Sequence, residues 1–117
     1  MLAVLRFNVP PAQVEGFVDQ LRAAVAILGE RDGFVNAQIG TALDDPGLVI
    51  LTLRWASVGS YRRALGHYDV KLHVIPLLAA TINEPTAFEV RHTRSSDGVV
   101  EDAAPDLSPD AGLVGPS

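Results

Sequence analysis

Eight residues, Leu48-Val-Ile-Leu-Thr-Leu-Arg-Trp55, constrain this chain more than any other segment. Val49, Leu51, Leu53 and Trp55 are all large and apolar, whereas the intervening Ile50, Thr52 and Arg54 are mixed. That is the period-two pattern of a strand with one buried face. The turn signal Asp44-Asp45-Pro46-Gly47 stands just before it. Upstream of the turn, Phe34 to Ala42 also alternates, with Val35, Ala37 and Ile39 opposed to Asn36 and Gln38. The two runs predict an antiparallel hairpin.

The rest of the chain extends this unit on both sides. Residues 2–9 read as a strand with Leu5, Phe7 and Val9 on one face and Val4, Arg6 and Asn8 on the other. Pro10-Pro11 stops the strand and can start a helix, because proline at the first helical position gives up no needed donor. Val14, Phe17, Val18, Leu21, Val25 and Leu28 follow at helical spacing, and Arg31-Asp32-Gly33 supplies a turn. After the hairpin, Ser57 caps a helix over Val58 to Leu65, and Gly66 interrupts it. Asp69 is the expected cap of a second segment, Val70 to Ala80, which Pro76 kinks or ends. Glu84-Pro85 leads into a last strand, Ala87 to His92.

The order β-α-β-β-α-β with right-handed crossovers predicts an α+β, ferredoxin-like fold: a four-stranded antiparallel sheet with both helices on one face. Strand parity places Leu5, Phe7, Val35, Ala37, Val49, Leu51, Leu53, Trp55, Phe88 and Val90 beneath the helices. The other face carries Val4, Leu48, Ile50 and Ala87 among Arg6, Arg54, Glu89 and Arg91, more apolar than a solvated sheet needs. Two such faces joined through a two-fold axis would bury the apolar positions, so a homodimer is expected.

Length and charge narrow the function classes. A chain of 117 residues suits one domain, expected over residues 1–93, followed by an acidic Pro/Gly/Ser-rich flexible tail over residues 94–117. Arg94 against Asp97, Glu101, Asp102, Asp106 and Asp110 puts −4 of the net −5 in that tail. An acidic chain argues against a nucleic-acid surface. No run of about 18 apolar residues is present, which argues against a membrane span. The absence of cysteine removes thiolate chemistry and suits a cytoplasmic setting.

The candidate chemistry lies where the third strand meets the helical region. Trp55 closes the strand, and Tyr61, His67 and His73 follow on the helical segments. Trp55 and Phe7 are expected as apolar walls, and Tyr61 as a group that orients or protonates a substrate. His67, next to the helix break at Gly66, and His73, on a stripe with Val70, Val74 and Leu77, are expected as bases or ligands. Every one of these residues also fits plain packing or a surface role. Metal binding finds no support, because His67 and His73 are six apart and do not share a helical face.

The chain resembles the antibiotic biosynthesis monooxygenase superfamily over about Leu2 to His92. The carriers are Asp32-Gly33-Phe34, Leu51-Thr-Leu-Arg-Trp55 with Ser57, Tyr61, Asp69-Val-Lys71 and Glu84-Pro-Thr-Ala-Phe-Glu-Val90. The resemblance implies a dimeric α+β barrel with a small-molecule pocket between sheet and helices. It further implies oxidation of an aromatic or quinone-like substrate without metal or flavin, in a pocket where Trp55 and Tyr61 match a tryptophan and a tyrosine. Leu51 stands where such members carry an asparagine. Haem-degrading relatives bind haem through a histidine on the second helical segment, and His73 sits at about the matching distance after Trp55. The expectations left open are therefore a cofactor-independent monooxygenase, a haem-binding protein, and a non-catalytic dimeric ligand-binding module.

Overall fold

The computed structural model describes residues 1–104. Four strands form one antiparallel sheet: β1 (Leu2–Asn8), β2 (Phe34–Thr41), β3 (Leu48–Trp55) and β4 (Ala87–Phe88), in the order β2-β3-β1-β4. Helix α1 (Val14–Leu28) connects β1 to β2 after a single 3-10 turn at Pro11–Gln13. Helices α2 (Val58–Leu65), α3 (Tyr68–His73) and α4 (Ile75–Leu78) fill the second crossover. This is the ferredoxin-like arrangement that the segment order predicts. A short hairpin, β5 (His92–Arg94) with β6 (Val100–Asp102), stands apart from the main sheet.

One face of the sheet is sealed and the other is not. Ala3, Leu5 and Phe7 of β1 and Val49, Leu51, Leu53 and Trp55 of β3 are buried, while the residues between them on β3 and as far as Arg6 on β1 are half-exposed. Val14, Val18, Leu21, Ala24 and Leu28 of α1 cover this face, with Tyr61, Ala64, Val70 and Val74 from the second crossover. β1 and β3 pair without a break from Leu2↔Arg54 to Asn8↔Leu48, and the register is pinned at the Trp55 end. There Met1 exchanges two hydrogen bonds with Trp55: its ammonium donates to the Trp55 carbonyl at 3.0 Å, and the Trp55 N–H donates back at 2.9 Å.

The turns form for the reasons their sequences suggest. Gly47 N–H donates to Asp45 Oδ1 at 3.3 Å, and Leu48 N–H to the Asp45 carbonyl at 3.1 Å, which closes the β2–β3 connection. Gly33 sits at φ 86°, in the left-handed region that L side chains avoid. A Cβ there would also collide with the Ser60 side chain, so the α1–β2 turn lies directly on α2. Ser57 caps α2 in a capping box with Ser60, as expected for Ser57. The cap of α3 is not Asp69. It is His67, whose Nδ1 accepts from the Asp69 N–H at 3.3 Å.

Two strand assignments change on the structure. A bulge between Phe34 and Asn36 breaks the parity of β2, so Phe34 turns inward while Val35 is 55% exposed. The last strand is shorter than Ala87 to His92. Phe88 pairs with Leu2, a residue of the open face, and is 43% exposed; Ala87 is the position opposite buried Ala3. Pro85 has no N–H to give, and edge pairing to β1 is thin, with Val4 N–H reaching the Thr86 carbonyl at 2.7 Å. Beyond Phe88 the chain leaves the sheet, and His92 pairs with Asp102 in the β5–β6 hairpin. Part of the expected tail is therefore a strand, and the remainder of that expectation, residues 105–117, lies outside the described residues.

Candidate functional site

Three aromatic rings meet at the end of β3. The Trp55 ring lies 5.8 Å from that of Tyr61, tilted at 49°, and 5.3 Å from that of Phe34, edge-on at 86°. Strand β3 presents the indole inward because it falls on the buried parity, the bulge turns Phe34 toward it, and the first turn of α2 sets Tyr61 above. Trp55 is 1% exposed, and its Nε1–H has no hydrogen-bond partner among the described residues. A shielded donor with no acceptor costs about 1–3 kcal/mol and is rare in native proteins. An acceptor supplied by a bound molecule would remove that cost.

Tyr61 is nearly as buried as Trp55, and its hydroxyl bonds to no described residue. Loss of water around the ring raises its pKa above the usual 10.0. The phenol is therefore a neutral O–H donor at physiological pH and costly to ionise.

Two cavities lie at this end of the sheet, both lined by Met1 and Glu89; Trp55 lines the first, and Tyr61 and Phe34 line neither. One, of about 270 Å³, has Trp55 as a wall and is bounded by Arg54, Val90, Thr93 and Glu101 among others. The other, of about 520 Å³, runs along the first turn of α2, past Ser57, Val58 and Arg62, to Phe88. Together they have the size and mixed lining of a small-molecule site, with apolar surface and a few polar groups.

The other expected residues lie elsewhere. Phe7 is buried but pairs with Val49, six residues up β3 from Trp55, which is about 20 Å at strand spacing. Its ring packs on Phe17 of α1 at 4.9 Å, so it belongs to the opposite end of the core. His73 is exposed. The stripe it was expected to share is built by Val70 and Val74, four apart and both buried, and a residue three after Val70 falls to the side of that line. His67 uses Nδ1 to cap α3 and faces a separate polar cavity beside the α1–β2 turn. The structure thus brings Trp55 and Tyr61 together and leaves Phe7, His67 and His73 apart from them.

Several residues of this region had no signal in the sequence. Phe34 lies within the Asp32-Gly33-Phe34 segment, but only the bulge reveals that it faces the indole. Thr93 and Glu101 reach the Trp55 cavity through the β5–β6 hairpin, within a stretch whose composition reads as tail. Leu51 is fully buried in the same row of β3 as Trp55, so that position adds aliphatic packing and no polar group.

Comparison with known proteins agrees with this architecture. The family model for antibiotic biosynthesis monooxygenases matches residues 1–74. SnoaB, a cofactor-independent oxygenase from Streptomyces nogalater, is similar at 23% identity with a TM-score of 0.64, over 79% of this chain and 93% of that one. A conserved protein from Methanosarcina mazei Go1 is similar at 19% identity with a TM-score of 0.59, over 74% and 84% of the two chains. Rv0793 from Mycobacterium tuberculosis gives 17% identity and a TM-score of 0.57, over 92% and 95%. At such identities the likeness establishes the fold. No curated protein matches the sequence significantly.

Proposed function

This chain belongs to the antibiotic biosynthesis monooxygenase family, and from that premise we propose that it is a small cofactor-independent monooxygenase acting on a hydroxylated aromatic or quinone-like molecule. The observation that carries the reading is an indole N–H with no partner among the described residues, on a Trp55 that lines an open cavity and packs against the neutral, partly desolvated phenol of Tyr61. SnoaB, which shares the fold, is a cofactor-independent oxygenase. The binding partner is accordingly a small aromatic molecule.

In this reading the substrate is bound with a carbonyl or phenolic oxygen on the Trp55 Nε1–H and its ring against the indole. An activated CH₂ group of the substrate loses a proton to water and passes an electron to oxygen, and recombination forms a carbon–peroxide bond. Tyr61 gives its proton to the peroxide, and the proton that the substrate lost restores the phenol. The O–O bond then breaks: one oxygen atom remains as the new carbonyl, and the other leaves as water with the two hydrogens the carbon gave up. The substrate supplies the electrons, so no flavin, haem or metal takes part. A dry site favours these steps because charge developing on the peroxide is stabilised by a nearby donor more strongly than in water.

Two copies of the chain are proposed to pair through the open sheet face. Leu2, Val4, Leu48 and Ile50 are half-exposed there, and Phe88 lies exposed at its edge. That pairing would complete the dimeric barrel and shield the Trp55 end from water. The absence of cysteine fits a reducing, cytoplasmic setting, and among the described residues no helix is long and apolar enough to cross a membrane. Haem ligation through His73 has no observation in its favour, since that imidazole is exposed on α3.

Oxygen uptake with an anthrone as substrate tests the reading. Turnover that yields the quinone and drops in Trp55→Ala and Tyr61→Phe supports it. Anthrone binding without any oxygen uptake would leave a non-catalytic ligand-binding module in its place.

A further inference from the structure

A second, polar hollow of about 330 Å³ lies away from Trp55, between the α1–β2 turn and the C-terminal half of α2. Its lining consists of Glu30, Arg31, Asp32, Ser60, Arg63, Ala64 and His67, so apart from Ala64 it is entirely polar or charged. We propose that this hollow binds a small oxyanion, a carboxylate or phosphate group, through Arg31, Arg63 and His67.

Three observations support the assignment. First, Arg31 Nε is shielded from solvent and has no hydrogen-bond partner among the described residues, so that guanidinium N–H is desolvated here without compensation. A buried charged donor left in that condition is costly, and an anion is the group that satisfies it. Second, neither Arg31 nor Arg63 has a carboxylate of a described residue within 4.0 Å, whereas Arg6 and Arg22 each do. Third, His67 Nδ1 accepts the Asp69 N–H, which puts the proton of the neutral ring on Nε2 and makes that nitrogen a donor. Donors from the α1–β2 turn and from the C-terminal end of α2 therefore line one hollow with no acceptor among the described residues.

The frame is rigid. Gly33 packs directly on Ser60, Ala56 N–H donates to the Gly33 carbonyl at 2.7 Å, and Phe34 N–H donates to the Arg31 carbonyl at 3.2 Å. Arg63 Nη1 lies 3.2 Å from where a Cβ on Gly59 would stand, so the guanidinium folds back along the helix. Glu30 and Asp32 also line the hollow. Their charges disfavour a large polyanion and select a compact group bearing one or two negative charges. Paired guanidinium groups suit the planar or tetrahedral oxygens of such a group.

Inorganic phosphate and, in a separate titration, acetate test the site at fixed ionic strength with sodium chloride as the balancing salt. The readouts are the ¹⁵N–¹H resonances of the Arg31 side-chain Nε–H and of the backbone from Arg63 to His67. The expected result is a saturable shift confined to these groups, with affinity weakened about tenfold or more in Arg63→Ala. Arg22→Ala, on the outer face of α1, is expected to leave binding unchanged. Saturation by phosphate alone assigns a phosphoryl ligand, and saturation by acetate assigns a carboxylate. A shift linear in anion concentration, or equal affinity in the native protein and Arg63→Ala, overturns the proposal. Arg63 is exposed, so its replacement leaves the fold intact and the comparison readable.

Discussion

Replacing Tyr61 by phenylalanine separates a chemical role for the phenol from a structural one. The ring is retained, so its packing against Trp55 at 5.8 Å is preserved, and only the hydroxyl is lost. A buried tyrosine hydroxyl that makes a hydrogen bond contributes about 0.5–1.5 kcal/mol, and its removal can leave a partner unsatisfied at a further cost of about 1–3 kcal/mol. Here neither penalty applies, because the Tyr61 hydroxyl bonds to no described residue. Removing it also relieves a partly desolvated polar group. The expected change in stability is therefore within about 0.5 kcal/mol of zero, or a small gain, which corresponds to a melting shift of no more than about 4 °C for a domain near this size. Activity should behave differently: loss of a positioned proton donor costs about 10²-fold or more in turnover. Thermal melts and oxygen uptake with an anthrone measure the two quantities on the same sample. A destabilisation above about 2 kcal/mol with proportionate loss of activity would mean that the hydroxyl is held by the fold, and the reasoning would fail.

Three further outcomes follow from the same structure. Gly33→Ala forces a side chain into a left-handed backbone and onto Ser60; chemical denaturation should register a loss of about 1–2 kcal/mol or more. Because burial raises the Tyr61 pKa, the unfolded chain releases that proton first as pH climbs past about 10, and its contribution to stability is present below that pH and lost above it. Urea midpoints measured from pH 9 to 11 should fall more steeply for the native protein than for Tyr61→Phe. Ile50→Asp places a charge at the centre of the open sheet face, opposite Arg6 on β1. Sedimentation should show dimer for the native chain and monomer for the variant, whereas an unchanged mass would move the interface elsewhere.

The layered architecture was legible in the sequence because alternation and helical spacing both follow from burial of one face. Val49, Leu51, Leu53 and Trp55 announce the buried side of β3, and Ser57 announces the start of α2. What the sequence does not display is local backbone irregularity. A single-residue bulge at Val35 reverses the facing of Phe34, and nothing in the alternation of β2 signals it. Strand parity predicts Phe88 inward, but the edge pairs through Leu2↔Phe88 and faces outward. The site was legible only where residues lie close in the chain: Trp55 and Tyr61 are joined by one tight connection, so the strand end and the first helical turn fix their meeting. Phe7 could be placed on the correct face but not at the correct end of the sheet, a distance that only the antiparallel register supplies. His73 misled because Val70 and Val74 define a stripe that passes beside it.

Trp55 is the only tryptophan in the chain, so its fluorescence reports on the cavity beside it without interference. Titration with a dihydroxynaphthalene, read as quenching of that emission, tests most directly whether the indole wall receives an aromatic molecule. Saturable quenching at one ligand per chain, weakened in Tyr61→Ala, is the predicted result. Emission that stays constant, or declines linearly with ligand as collisional quenching does, would contradict the account.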